Sequence, residues 1–187
     1  MTTLNQPPSN PKRADAERNR ERILTAARAA FAEPHAEISM AEISRRAGVG
    51  MATLYRNFAS RRELLESLYA DEVDVICNAA VSVEGETPGE VLINWLQQFF
   101  AFASHKRHVA LELLADAGGA SPVLGESRAR GLAAGQPLFD AARQSCEIRN
   151  DLTLEQILDM IVAIATINSD SRYTEPILQT ALDGLRL

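Results

Sequence analysis

Polar and basic side chains crowd between residues 39 and 58, where the pattern predicts two short helices joined by a tight turn. Gly48 follows the first of these helices, and a glycine adopts a positive φ there without steric cost. Two short helices joined in this way, inside a basic segment, are typical of a helix-turn-helix. The major groove of DNA is about 12 Å wide and admits one helix, so the expected chemistry is hydrogen bonding to phosphates and base edges.

The apolar residues of this segment define an inner and an outer side. Leu54 and Phe58 are four residues apart and therefore share one face of the second helix. We predict a small core formed by Ile43, Ala47, Val49, Leu54 and Phe58. The outer side and the helix ends are left to Met51, Ala52, Thr53, Tyr55, Arg56 and Asn57.

Charge is distributed unevenly along the 187 residues. Eleven Lys and Arg against six Asp and Glu give residues 1–62 a net charge of +5. Eight against nineteen give residues 63–187 a net charge of −11, so the whole chain carries −6. A basic segment on an acidic body indicates a nucleic-acid contact confined to one end.

Composition excludes several other classes of protein. The hydrophobic content of 46% is enough for an ordinary core and argues against a wholly disordered chain. No apolar run approaches the ~18 residues of a membrane span. Residues 1–13 contain no apolar stretch typical of a secretory signal, and the two cysteines, Cys77 and Cys146, form no CxxC pair. We therefore expect a cytoplasmic protein.

Apolar residues recur at helical spacing along most of the chain, which predicts an all-α fold of about nine helices. We predict a disordered arm over residues 1–14, a three-helix head over 15–60 with its helix-turn-helix at 39–58, and a helical C-terminal domain over 61–187. Pro34 is expected to end the first helix, which starts near Asp15. Later helices are expected at about 60–83, 88–104, 105–117, 122–147, 154–169 and 175–185, with a break at Gly118-Gly119.

Three helix starts carry the sequence of a capping box. In this motif a Ser or Thr hydroxyl accepts a hydrogen bond from the third following N–H, and the Glu or Gln at that position reaches back to the first N–H. The pairs are Ser39 with Glu42, Ser60 with Glu63, and Thr153 with Gln156.

Over roughly residues 16–77, the chain resembles the tetracycline-repressor-like (TetR) family. The resemblance is carried by Arg22-Ile23-Leu24-x-Ala26-Ala27 with Phe31, by the run from Ile43 to Phe58, and by Ser60-Arg61-Arg62-Glu63-Leu64-Leu65. Its most specific part is the pattern A-G-V-x-x-x-T-L-Y-x-x-F. It implies a ligand-responsive transcriptional regulator, most often a repressor, whose C-terminal domain binds a small-molecule effector and forms a homodimer. The partner implied is a palindromic double-stranded DNA operator.

Taken position by position, the resemblance also implies which side chains hold the DNA backbone. Ser39 caps its helix and can donate to a phosphate, and the hydroxyls of Thr53 and Tyr55 hold phosphates. Arg61 stands where a phosphate-binding lysine is usual in the family. The alternative for Tyr55 is a place in the core. The DNA-binding set as a whole is Ser39, Arg45, Gly50, Met51, Ala52, Thr53, Tyr55, Arg56, Asn57 and Arg61.

Base edges are expected to be read by the second helix of the motif. Arg56 is suited to guanine and Asn57 to adenine, while Met51 and Ala52 can pack against thymine methyl groups. Gly50 stands where a serine is common, so one capping or phosphate-binding hydroxyl is missing. The arginines at 18, 20, 22, 45 and 46 are either phosphate contacts or ordinary solvated helix charges.

Aromatic residues suggest where an effector binds. Trp95, Phe99 and Phe102 are spaced as i, i+4 and i+7 on one predicted helix, which places them on one face. They form either the wall of an apolar cavity or ordinary packing against neighbouring helices. With Leu111 and Cys146 they make up the predicted effector site.

The last two predicted helices carry an apolar stripe that predicts a dimer interface. Two such helices from each protomer can form a four-helix bundle across a two-fold axis. The predicted interface residues are Ile157, Ile161, Ile164, Ile177, Leu178 and Leu182. The alternative is that the stripe serves the core of its own chain.

Two further classes of function stay open. His105 with His108 and His108 with Glu112 have spacings that suit a metal on one helix face, although no further ligand and no His/Cys cluster is evident. A helical protein-binding adaptor or metal-binding protein with a DNA-binding head is therefore the alternative. No nucleophile–base pair is present, so we expect neither enzymatic activity nor a cofactor.

Overall fold

The computed structural model describes residues 11–31, 38–116, 121–167 and 170–187. These residues form eight helices, which confirms the all-α prediction and corrects its count of about nine. The helices are α1 (Pro11–Phe31), α2 (Met40–Ala47), α3 (Met51–Asn57), α4 (Arg61–Ser82), α5 (Pro88–Asp116), α6 (Pro122–Gln144), α7 (Leu154–Ala165) and α8 (Ser171–Asp183).

The count differs because the helices predicted at 88–104 and 105–117 are one helix, α5. The sequence contains no glycine or proline between Gly89 and Gly118, so nothing near Ser104 and His105 ends the helix there. The ring of His105 lies 2.7 Å from the carbonyl oxygen of Ala101, one turn earlier in the same helix.

Helix α1 starts earlier than predicted, at Pro11. Proline is favoured at the first helical position because its missing N–H would have no partner there. The last residues of the predicted arm, 11–14, are therefore helical. Residues 1–10, Pro34 and the Gly118-Gly119 break lie outside the described residues.

All three predicted capping boxes have the bond to the Ser or Thr hydroxyl, but only one box is complete. Thr153 and Gln156 form the complete box, with N–O distances of 2.9 and 3.2 Å. Ser60 accepts from the N–H of Glu63, whose carboxylate accepts from Ala59 rather than from Ser60 itself. Each of these bonds satisfies a backbone N–H that the helix leaves without a partner.

The chain divides into two compact units, one ending at Leu68 and the other starting at Tyr69. The division lies within α4, whereas the predicted boundary precedes that helix. The N-terminal unit has a core of fully buried side chains from all four helices: Ile23, Ala27, Ile43, Leu54, Phe58, Leu64, Leu65 and Leu68.

The C-terminal unit packs α5 against α6 and α7 around Trp95, Leu92 and Leu96, all with no exposed surface. The start of α5, the segment after α6 and the residues after α8 are joined by hydrogen bonds near Glu147. The N–H of Gly89 donates to the Glu147 carboxylate at 3.1 Å, and the N–H of Leu187 donates to the Glu147 carbonyl at 3.1 Å. The N–H of Arg149 donates to the carbonyl of Leu185 at 2.9 Å. We call these five residues the closing joint.

Candidate nucleic-acid interface and C-terminal cavity

The turn between α2 and α3 is held by backbone geometry and by two side chains. Gly48 has φ +62°, which places it in the left-handed region as predicted, and its N–H donates to the last carbonyls of α2. The Ser44 hydroxyl donates to the carbonyl of Val49 at 2.6 Å. Arg22 reaches from α1 to donate to the Gly48 carbonyl at 3.0 Å. The angle between the two helices is therefore set by bonds from three directions.

Helix α3 presents one face to the core and the opposite face to solvent. Leu54 and Phe58 are fully buried, as their spacing predicted. Tyr55 is 48% exposed and Met51 39% exposed, and Ala52 is exposed beside them. The exposure of Tyr55 argues against its alternative place in the core. A helix with this solvent face has the shape required to enter a major groove.

The two candidate base-reading side chains bond to their own helix. Arg56 donates to the Ala52 carbonyl and to the Thr53 hydroxyl, both at 3.1 Å. Asn57 donates to the Thr53 carbonyl at 2.8 Å and is half-buried. Reading a base edge requires both side chains to exchange these bonds for bonds to DNA.

Gly50 occupies the N-cap position of α3 and provides no side-chain cap. This agrees with the expectation that a hydroxyl is missing there. An added Cβ at Gly50 would meet no atom within 4 Å, so the position is open. Ser39, at the equivalent position of α2, accepts from the N–H of Glu42 at 3.2 Å.

Glu42 holds the basic residues of α2 instead of completing the capping box. Its carboxylate accepts from Arg45 at 2.7 and 2.8 Å and from Arg46 at 2.7 Å. Hydrogen bonds from Arg45 and then Arg46 lower the pKa of Glu42 to about 2. One carboxylate thus offsets part of the positive charge on this helix at every physiological pH.

Arg61 bonds within the N-terminal unit. Its guanidinium donates to the carbonyl of Ile38 and lies 5.2 Å from the centre of the Phe31 ring. The side chain therefore braces the start of α4 against α1 and α2. The contact with phosphate that the resemblance implies would have to be made from this braced position.

Arg20 has a structural role that the sequence pattern did not single out. Its guanidinium lies 4.6 Å from the centre of the buried Phe58 ring and donates to the Ser67 hydroxyl at 3.1 Å. The available signal was its position three and four residues before the buried Ile23 and Leu24, on the inner face of α1. Arg20 thus joins α1 to the end of α3 and to α4.

The C-terminal unit contains a cavity between α4, α5, α6 and α7. Its volume is about 80 Å³. The lining residues are Tyr69, Val73, Ile76, Phe99, Phe102, Leu124, Ser127, Arg128, Gly131, Leu158 and Val162.

Two of the five predicted effector residues, Phe99 and Phe102, line this cavity, and the other three do not. Trp95 is fully buried, packs against α6 and donates from its indole nitrogen to the Ile76 carbonyl at 3.2 Å. Leu111 is 50% exposed because it follows Phe102 by nine residues, which at about 100° per residue places it on the opposite side of α5. Cys146 lies beyond the end of α6 and is exposed.

The predicted dimer residues are mostly part of the chain's own core. Ile157, Ile161, Ile164, Leu178 and Leu182 are at most 8% exposed, and Ile177 is half-buried against the same cluster. This burial supports the alternative, an intramolecular core, for most of the stripe. A role of these residues at an interface between two copies stays a prediction.

The histidine pair shows no metal site. His108 lies 3.4 Å from the Glu112 carboxylate, while His105 contacts the Ala101 carbonyl. Within the described residues, no group of three potential metal ligands occurs. Among the same residues, no helix is long and apolar enough to cross a membrane.

Two family descriptions match the chain. Residues 23–68 match bacterial regulatory proteins of the tetR family, and residues 87–187 match the C-terminal domain of SbtR-like transcriptional regulators. No curated protein matches the chain.

Solved structures with a similar fold cover nearly the whole chain. A TetR transcriptional regulator from Streptomyces coelicolor is 34% identical, with a TM-score of 0.71 over 89% of this chain and 98% of that one. A TetR regulatory protein from Mycobacterium vanbaalenii is 29% identical, with a TM-score of 0.69 over 94% and 99%. GusR of Salmonella enterica, at 22% identity and a TM-score of 0.66 over 99% of both chains, shares the fold.

Proposed function

Because the chain belongs to the tetR family of bacterial regulatory proteins, we propose that it is a repressor that leaves its operator when a small molecule binds its C-terminal unit. Membership of the family makes it a DNA-binding transcriptional regulator and not an enzyme. The operator is palindromic, the working form is a homodimer, and the site of action is the cytoplasm. The observation that carries the proposal is the solvent-exposed face of α3 beside the capped turn at Gly48.

The exposed face of α3 divides into positioning and reading groups. The hydroxyls of Thr53 and Tyr55 hold phosphates and set the register of the helix in the groove. Arg56 and Asn57 read guanine and adenine, and each such bidentate contact discriminates by about 1–3 kcal/mol. Both side chains lie at the C-terminal end of α3, with Arg56 exposed and Asn57 half-buried. A reorientation of each would exchange its intrahelical bond for a bond to a base edge.

Two heads are needed because one short helix offers few base contacts. A two-fold dimer doubles them and spaces the half-sites by about 34–36 Å or a multiple of it. Exposed apolar side chains on α7 and α8 are better candidates for this interface than the buried stripe. Val162 is 39% and Tyr173 59% exposed, with Ala163 and the half-buried Ile177 on the same two helices.

Helix α4 is the element through which an effector would act. Tyr69, Val73 and Ile76 line the cavity from α4. The same half of the helix is tied to α5 by the Glu72–Lys106 ion pair at 3.0 Å and to α6 by Asp74 and Arg130. A ligand that widens the cavity shifts α4, and α4 is continuous back to Arg61 in the N-terminal unit. Such a ligand favours the form that does not fit the operator.

The proposal is tested by selecting DNA from a random duplex library with the full chain. We expect enrichment of an inverted repeat to which two chains bind. The ratio of the affinity for this repeat to the affinity for unrelated DNA should be the same in repeated selections. A matched pair of variants assigns the contact to α3. Arg56→Ala should change the selected sequence, while Arg172→Ala, an exposed arginine on α8, should not.

Two outcomes would contradict the proposal. Failure to enrich any sequence would remove operator binding, and a selected site without two-fold symmetry would remove the symmetric dimer. Disulfide cross-linking between the two copies of a Tyr173→Cys variant provides an independent check of the α7–α8 interface.

A further inference from the structure

Three aromatic rings line one side of the C-terminal cavity. The centres of the Tyr69 and Phe102 rings are 5.8 Å apart with planes at 58°, and those of Phe99 and Phe102 are 6.0 Å apart at 46°. Tilted rings at this separation expose both faces and edges, which are the surfaces that a further aromatic ring packs against. The rest of the wall is aliphatic, with Val73 and Leu158 among its members.

Two hydroxyl groups interrupt this apolar wall. The Ser127 side chain is only 8% exposed, and Tyr69 is half-buried. Among the described residues, neither hydroxyl has a hydrogen-bond partner. Burial raises the pKa of the Tyr69 phenol, so it keeps its proton at neutral pH. Both hydroxyl groups keep some accessible surface, so a ligand group that enters the cavity can exchange hydrogen bonds with them.

The charge at the cavity favours a neutral ligand. Of the described lining residues, Arg128 alone is charged, and its guanidinium donates to Asp159 and Glu155 at 2.9 Å. One arginine is shared by two carboxylates, so it has no excess positive charge to offer an anion. An ammonium group in the cavity would meet the arginine, because neither carboxylate lines the cavity. Either ion would lose its hydration without full compensation.

The size of the cavity sets the size of the ligand. A cavity of about 150 Å³ lined by apolar side chains holds one benzene ring, whereas this one has a volume of about 80 Å³. Gly131 leaves room on its α6 side, since a Cβ there would lie 3.9 Å from the nearest atom, Cε2 of Phe99. One ring is thus the largest group that we expect to enter, and it requires the cavity to widen to nearly twice its volume. Helix α4 forms part of the wall that would have to move.

We propose that the cavity binds a small uncharged phenol, meaning a single aromatic ring that carries a hydroxyl group. The ring packs against Phe99 and Phe102, and its hydroxyl exchanges hydrogen bonds with Tyr69 and Ser127. That this molecule acts as the effector rests on the proposed function. That it binds in the cavity does not depend on the proposed function.

Phenol itself is the probe for this site. Trp95 is the sole tryptophan, and its ring centre lies 5.8 Å from that of Phe99, so indole emission reports on the cavity. Exciting at the red edge of indole absorption avoids absorption by phenol, and calorimetry gives the stoichiometry. We expect one phenol per chain. Benzoate, benzylammonium and cyclohexanol should bind at least about tenfold more weakly.

Two glycines of α6 provide matched variants. Gly131→Leu places a side chain in the cavity, whereas Gly125→Leu adds the same group where no atom lies within 4 Å. Phenol affinity should fall at least about tenfold in the first variant and stay unchanged in the second. Equal affinity in the two variants, or benzoate binding as tight as phenol binding, would overturn the proposed ligand class.

A second pair of measurements does not depend on how Gly131→Leu folds. Ser127→Ala should weaken phenol binding several-fold and leave toluene binding unchanged, because only phenol uses the hydroxyl. An equal loss for both ligands would overturn the hydrogen-bonding role.

Operator affinity, measured on the selected duplex with and without phenol, separates this inference from the proposed function. Phenol binding that leaves operator affinity unchanged would support the ligand class and contradict the effector role. Specific operator binding by a chain that does not bind phenol would contradict the ligand class and leave the regulator intact.

Discussion

The indole ring of Trp95 packs directly on the backbone of Gly135, so that a Cβ at position 135 would overlap the ring. The ring is fully buried, and its nitrogen donates to the Ile76 carbonyl at 3.2 Å. Trp95 on α5 thus has α6 at the outer edge of its six-membered ring and α4 at its indole nitrogen. The three helices that form most of the cavity wall are held together at this one side chain.

Gly135→Ala should destabilise the protein. The added methyl group would lie 2.4 Å from the Trp95 ring, so the core must shift to admit it. Overpacking of this kind costs typically about 1–3 kcal/mol, against the roughly 1 kcal/mol gained in helix propensity. Gly125→Ala, in open space on the same helix, is the control and should be neutral or stabilising. Urea unfolding of both variants gives the comparison, and equal midpoints would contradict this account of Trp95.

Gly48→Ala should weaken both the fold of the head and its binding to DNA. A left-handed φ costs a residue with a Cβ about 1–2 kcal/mol, and the new methyl group would lie 2.8 Å from Nη2 of Arg22. Gly50→Ser is the matched change in the same turn and should gain a few tenths of a kcal/mol by capping α3. Thermal unfolding and operator affinity are the measurements. The explanation fails if the two variants behave alike.

Arg20→Lys tests whether Arg20 acts by position or by charge. Lysine keeps the positive charge but loses the planar contact with Phe58 and the bond to Ser67, so we expect a loss of about 1 kcal/mol in stability. The dependence of operator affinity on salt should stay unchanged, because no phosphate contact is removed. A shallower salt dependence would instead identify Arg20 as a phosphate ligand.

The helix-turn-helix was predictable because its signals are local. Ser39, Gly48 and the Leu54–Phe58 pair each act within one turn of chain, where sequence and geometry are directly linked. The apolar stripe on α7 was equally clear, but periodicity shows only which side is buried and not what covers it. Ile161 is buried in its own chain, and periodicity alone could not distinguish that core position from a place at an interface.

The cavity was harder to predict for a related reason. The spacing of Trp95, Phe99 and Phe102 places them on one face of α5, but the three rings have different neighbours. Trp95 packs against α4 and α6, whereas Phe99 and Phe102 line the cavity. Only the packing of Trp95 on Gly135 decides that its ring is enclosed. The assumed break at His105 also concealed the true angular position of Leu111 on the continuous α5.

Tyr55→Phe and Arg56→Ala should separate positioning from reading. Tyr55→Phe removes a hydroxyl from an exposed ring and should weaken binding to all sequences alike, with little change in stability. Arg56→Ala should lose about 1–3 kcal/mol of discrimination at one base pair. Fluorescence anisotropy on the selected operator and its single-base variants measures both. A sequence-selective effect of Tyr55→Phe would reverse the assignment.

Glu42→Gln should make the head more basic and its stability less dependent on pH. With Glu42 neutral, Arg45 becomes available to phosphate, and the slope of log affinity against log salt should steepen by about 1. The pKa of Glu42 is lowered to about 2 in the folded chain. Its stabilising contribution is therefore present above its usual pKa and is lost as the pH falls towards 2.

Unfolding measured from neutral to acidic pH should show the wild type and Glu42→Gln converging in stability between pH 4.5 and about 2. A constant difference across that range would mean that the ion pairs with Arg45 and Arg46 do not contribute to stability.

Because of the closing joint, the C-terminal unit cannot finish folding before residues 185–187 have been synthesised. Glu147 bonds to Gly89, 58 residues earlier in the chain, and to Leu187, while Arg149 bonds to Leu185. Until residues 185–187 emerge from the ribosome, the backbone groups of Glu147 and Arg149 lack these partners. Individual helices form within microseconds, but contacts between distant segments form late. The head can therefore fold while the chain is still being synthesised, and the C-terminal unit closes only after its last helix has emerged.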